Sequence, residues 1–190
     1  MSDTGGGDIG KTNEDADKFK LDVVSLTLSS AQGAGEYATG YTVGMWIGPD
    51  GQATQTAGGD NFELTEANID LRLPVGNGLD LKVGQFGTVV GYETFEYDSN
   101  AFFQRGLGFF VEPTHHTGVL ASYQVSDELS VSVGLANNQA NQQANNEAGA
   151  GGGNAVLASV SYTVGDGAGF LSGTETVSYT HLRAHETRCT

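Results

Sequence analysis

The sequence predicts an all-β protein: a partial antiparallel transmembrane β-barrel of about eight strands. Three observations predict it. Apolar residues recur at period two almost everywhere, and helical spacing is nowhere sustained. The connections between these runs alternate strictly between short and long. The polar side of the runs is rich in glycine, and tyrosines recur close to the short turns.

The elements follow in order. A first strand, about Phe19–Ser29, is uneven because Val23 and Val24 break the phase. From Tyr37 to Ile47, Tyr41, Val43, Met45 and Ile47 share one face, with Gly40, Thr42 and Gly44 on the other. Next, Ala67, Ile69, Leu71 and Leu73 alternate with Glu66, Asn68, Asp70 and Arg72. Leu79, Leu81 and Val83 alternate with Asp80, Lys82 and Gly84. After a long gap, Val119, Ala121, Tyr123 and Val125 form one face, then Leu129, Val131, Val133 and Leu135, then Val156, Ala158, Val160, Tyr162 and Val164. A last strand is expected from near Phe170.

The short turns are Pro74–Gly78, with its Asn77-Gly78 hairpin signal, then Ser126–Glu128, and Gly165–Gly167. The long connections are about Gly48–Asn61, Phe86–Thr117 and Asn137–Asn154. A membrane barrel has this asymmetry, tight turns on one side and long loops on the other. Its strands are apolar toward lipid and polar toward the lumen. A soluble β-sandwich gives the same alternation with the apolar face inward, so alternation alone leaves both open. Small residues at Gly40, Gly44, Gly84, Gly118 and Gly134 suit a curved wall. Tyr37, Tyr123 and Tyr162 suit an interfacial girdle, although strand propensity alone also explains them. A connection as long as Phe86–Thr117 without structure of its own is rare unless functional.

Composition narrows the function. Of 190 residues, 29 are Gly, and 8 Lys+Arg stand against 23 Asp+Glu, a net charge of −15. With so few and such scattered cations, no nucleic-acid partner is expected. The single Cys189 excludes a disulfide framework and a Cys-ligated metal cluster. Residues 1–18 are polar and acidic, and read as a disordered or spurious start without a signal peptide. Residues 19–176 read as the barrel segment. Residues 177–190 lack glycine and resemble translated sequencing-adapter read-through, so a non-native tail is expected.

The candidate chemistry is sparse. His115 and His116 are adjacent, and neighbours on a strand point to opposite faces, so they are poorly placed to share one ion. Glu93, Glu96, Asp98 and Glu112 could serve acid/base work or a calcium ion, but nothing supplies a nucleophile or a dedicated calcium-loop spacing. No enzyme activity, metal or cofactor is expected. Asn137–Asn154 is a low-complexity Asn/Gln/Gly surface loop.

One stretch, Asp70–Asn138, carries a resemblance. Its parts are Leu73–Leu79 (LPVGNGL), Lys82–Phe86 (KVGQF), Gly91–Glu93 (GYE), and Arg105 after the Phe102-Phe103 pair. Glu112–Tyr123 (EPTHHTGVLASY) and Ser126–Asn138 (SDELSVSVGLANN) complete it. The stretch resembles the putative beta-barrel porin-2, or OmpL-like, family of bacterial outer-membrane proteins. The resemblance implies a porin in the outer membrane of a Gram-negative-type cell, with a signal peptide and more strands than this fragment holds. Its partners would be outer-membrane lipid and small hydrophilic solutes or ions diffusing passively, with a homo-oligomer left open.

In that reading Asp70, Arg72, Asp80 and Lys82 line the pore, though they can equally neutralise one another across the hairpin. The long loop, about Gly87–His116, narrows the lumen, with Glu93, Glu96, Asp98 and Glu112 as an acidic rim facing Arg105. Two alternatives remain: a non-pore barrel with a structural or adhesive role, and a secreted soluble β-sandwich that binds glycans. The apolar residues decide. Leu71, Val83, Val131 and Val160 packed in one dry interior would exclude the channel.

Overall fold

The structure is a computed structural model. It describes residues 19, 21, 23–48, 62–96, 99–102, 106, 109, 112–137 and 154–164, and the backbone of 175–183. Segment 1–18 lies outside the described residues, as do 184–190.

Eight strands form one sheet in chain order, each antiparallel to the next. They are β1 (Val24–Ser30), β2 (Thr39–Ile47), β3 (Phe62–Leu73), β4 (Leu79–Gly87), β5 (His115–Gln124), β6 (Leu129–Asn137), β7 (Asn154–Thr163) and β8 (Glu175–Arg183). No pairing joins β1 to β8 among the described residues, so the sheet is an open section of a barrel. Among the described residues no helix is long and apolar enough to cross a membrane, which bears only on helical spans.

The ends differ from the sequence expectation. β1 begins at Val24, so Val23 precedes the strand and the apparent phase break disappears. β8 begins at Glu175, and residues near Phe170 lie outside the described set. The strand reaches Arg183 and pairs with β7 from Thr163↔Glu175 to Ala155↔Arg183, so the backbone of the 177–190 segment continues the sheet up to that point.

The register assigns side chains to two faces, with departures at the Gly44/Met45 bulge and at His115, the first residue of β5, which is buried although it shares the parity of Val119. On one face Ile69, Val83, Val119, Leu135 and Val156 stand in a row across five strands. Leu71, Leu81, Ala121, Val133 and Ala158 form the next row, and Leu73, Leu79, Tyr123, Val131 and Val160 the third. No residue in these rows is buried. Ile69 is 59%, Val133 57% and Leu135 61% exposed. Contiguous apolar faces of this kind mark contact with lipid or with another protein. Leu71, Val83, Val131 and Val160 all lie here, and none is buried.

The opposite face is the buried one. Trp46, Glu63, Thr65, Phe86, His116, Leu120, Ala136 and Leu157 are all nearly or fully inaccessible. Phe86, Leu120, Ala136 and Leu157 come from four successive strands and pack as one cluster, with Val89 of the β4–β5 connection against them. The sequence pattern marks this face as small and polar. Its small row is present, running Asn68, Gly84, Gly118, Ala136, Ala155, but large apolar residues share the face. Gly118 is required there: a Cβ on it would meet the carbonyl oxygen of Leu135.

The connections alternate as expected. Short ones (31–38, 74–78, 125–128) lie at one end of the strands and long ones (48–61, 88–114, 138–153) at the other. The β7–β8 connection, 164–174, is longer than the Gly-Asp-Gly turn suggests. In the β3–β4 turn Gly76 and Gly78 take φ of 58° and 103°, which favours glycine at both positions. Asn77 ties that turn to β5: its backbone N donates to the Tyr123 hydroxyl (3.3 Å) and its amide to the carbonyl of Gln124 (3.1 Å). The Tyr162 hydroxyl donates to Glu128 at 3.3 Å beside the β5–β6 turn. Both tyrosines therefore stand at the short-turn end.

Candidate functional site

The buried face divides into two halves. Toward the short turns it is charged. The tight turn after Leu73 fixes a register in which Asp70 faces Lys82 and Arg72 faces Asp80. Arg72 meets Asp80 with two parallel bonds, Nε to Oδ1 at 2.7 Å and Nη2 to Oδ2 at 2.6 Å. Lys82 Nζ lies 2.9 Å from Asp70 Oδ1 and donates to Asn68 Oδ1 at 3.2 Å. All four charged side chains keep between 22% and 33% of their surface open. The quartet thus sits on the loop-bearing face as two neutralised rungs, a pairing that the cross-strand geometry alone allows.

Toward the long loops the face is covered. A β-bulge at Gly44/Met45 leaves Thr65 as the extra residue of β3. β4 pairs with β3 only from Ala67 onward, so the carbonyls of Leu64 and Thr65 accept from the side-chain amide of Gln85 instead, at 2.6 and 3.1 Å. Above this bulge lies the 88–114 connection. Its base is closed by Thr88 N donating to Thr114 O (2.9 Å) and by Thr88 Oγ1 on His116 Nε2 (2.9 Å). Gly87 N donates to Glu66 Oε1 at 3.3 Å.

Further along, the loop turns across the sheet. The Phe95 ring lies between Trp46 of β2, 4.3 Å centroid to centroid, and His115 of β5, 4.6 Å away. Glu96 Oε2 accepts from Trp46 Nε1 at 3.0 Å and from Ser25 Oγ of β1 at 3.4 Å. The Trp46 and His115 rings therefore come within about 9 Å of each other. Phe95 thus bridges β2 and β5 across the width of β3 and β4.

The loop holds its own shape. Asn100 Oδ1 accepts from Thr94 N at 2.9 Å, and its amide donates to the carbonyls of Thr94 (2.9 Å) and Glu96 (2.5 Å). Both Glu93 oxygens accept from Gly106 N, at 3.1 and 2.8 Å. Glu93 and Glu112 line a shallow recess of about 360 Å³ with Tyr92, Asn100, Phe102 and Phe109.

Of the expected rim, Glu93, Glu96 and Glu112 are placed in this loop, and Asp98 and Arg105 lie outside the described residues. Glu96 is drawn down onto the wall, and Glu93 binds the loop backbone. The charged quartet stands at the opposite end of the face. His115 and His116 have different partners, Thr114 Oγ1 at 3.1 Å for the first and Thr88 for the second. Sequence reasoning passed over Trp46, Phe95, Glu63 and Thr65. A signal existed: Trp46, Phe86, Leu120 and Leu157 are large apolar residues in the polar phase of their strands, where something must cover them.

An antiparallel sheet in consecutive order, with one apolar face and with charged rungs and a packed loop on the other, is a section of a β-barrel. Comparison with family models agrees. The chain belongs to the putative beta-barrel porin-2, OmpL-like family, whose model matches residues 3–181. Neither the curated proteins nor the solved structures give a match.

Proposed function

We propose that this chain is part of an outer-membrane porin that passes small hydrophilic solutes or ions by passive diffusion. Membership in a porin family supports the class. One observation carries the rest: the long β4–β5 loop packs on the face that holds the charged rungs, while the opposite face is apolar with no residue of its three rows buried. A wall built that way keeps water on the loop side and hydrocarbon on the other. Asp70, Arg72, Asp80 and Lys82 then line the passage, and the loop bearing Glu93, Glu96, Asp98, Arg105 and Glu112 narrows it. No chemical step is involved. Passage follows from width and from the field of the lining charges.

The test is reconstitution of the full-length protein into planar bilayers. A porin gives ohmic current steps that scale with bulk electrolyte conductivity. A second reading, a non-pore barrel, draws support from the inner cluster of Phe86, Leu120, Ala136 and Leu157, because small barrels fill their interior with side chains. That reading predicts insertion into lipid without steady current.

A further inference from the structure

The contacts of Phe95 and Glu96 do more than decorate a loop. They join its far corner to three strands at once: β1 through Ser25, β2 through Trp46, and β5 through His115. Trp46 is 3% and His115 2% exposed beneath this corner. The base of the loop is tied separately, through Thr88, Thr114 and His116. A loop tied only at its base is free to sweep the inner space. Tied at its corner as well, it has one position.

We propose that Phe95, Glu96 and Trp46 form a clasp that fixes how far the loop reaches into the lumen, and so sets the width of the passage. The inference rests on the diffusion reading above, and these are positioning residues. Phe95 contributes ring contact on both sides, which fixes the lateral position. Glu96 contributes the charge-assisted bond to the indole, which fixes depth and orientation. Ser25 shares the same carboxylate oxygen, so the clasp also draws β1 toward the loop.

The clasp contains its own reporter, since Trp46 is the sole tryptophan of the 190 residues. The experiment uses Phe95→Ala and Glu96→Ala in the full-length protein folded in lipid, with Glu96→Gln as the variant that keeps a carbonyl acceptor. Far-UV circular dichroism verifies the strands, and either alanine variant suffices if the other does not fold. Released from the clasp, Trp46 should emit at longer wavelength and its quenching by acrylamide should at least double. In planar bilayers the same variants should pass larger and noisier single-channel currents, while Glu96→Gln stays near wild type.

Unchanged Trp46 emission in both alanine variants overturns the clasp. A shifted emission with unchanged conductance overturns its role in setting width. A silent wild type beside a conducting alanine variant supports a clasp that holds the passage shut. Silence in all of them defeats the diffusion reading, and the width-setting role with it.

Discussion

Replacing Val133 by Arg tests which way the apolar face points. Val133 lies at the centre of β6, between Ala121 and Ala158 in the middle of the three apolar rows, and is 57% exposed. If this face meets hydrocarbon, a guanidinium at mid-height costs about 2–4 kcal/mol, falling to about 0–1 kcal/mol near the interface. If the face meets water, the same substitution on an exposed position stays within about 0.5 kcal/mol. Val125→Arg is the internal control, because Val125 opens the β5–β6 turn at the interfacial level and is 45% exposed. The assay is reversible urea unfolding from phospholipid vesicles, with the fraction folded read from the shift in gel mobility. Val133→Arg should lose several times more stability than Val125→Arg. Equal and negligible losses would refute the lipid-facing assignment, and so would a wild type that folds fully without lipid or detergent.

Three further outcomes follow from the inner face. Lys82→Ala should leave Asp70 without its partner on the wall and move the reversal potential under a salt gradient toward cation preference; Asp80→Asn should move it the opposite way. Leu157→Ala removes a fully buried side chain from the cluster with Phe86, Leu120 and Ala136, and should cost about 2–5 kcal/mol in the same vesicle assay. Gly118→Val places a branched side chain against the carbonyl of Leu135, and should lower the temperature at which the folded gel band is lost, by more than Ala121→Val on the open face.

Much of the fold was legible because the sheet is simple. A period of two with consecutive antiparallel pairing leaves little for long-range contacts to decide. Leu73–Leu79 shows this: a turn with glycines at 76 and 78 fixes the hairpin, and the hairpin then fixes both ion pairs. The site was less legible for a physical reason. Glu96 reads as one more acid in a loop, and nothing local reveals that its acceptor is wanted by an indole fifty positions earlier. Phe95 likewise gains its role only from where the chain returns. The bulge at Gly44/Met45 is a further case, since one extra residue in β3 sets which of Glu63, Thr65 and Glu66 lies under the loop. The one usable trace was the out-of-phase apolar residues, which announce a cover without naming it.

The division of the inner face into a charged half and a covered half has a consequence for selectivity. The rungs Asp70–Lys82 and Arg72–Asp80 cancel in pairs, so in the proposed passage they would offer alternating sites with no net charge. On β3 itself Glu63 and Glu66 carry the same face toward the loop, where Glu93, Glu96 and Glu112 stand. In the proposed passage the field would therefore be uneven, near neutral at the short-turn end and acidic at the loop end. Screening over roughly 8 Å at physiological salt confines each charge to its own neighbourhood, so in the proposed passage the acidic loop end, and not the net charge of −15, would govern which ions pass. Preference for cations should then fall when the loop is released by Phe95→Ala, even though no charge has been removed.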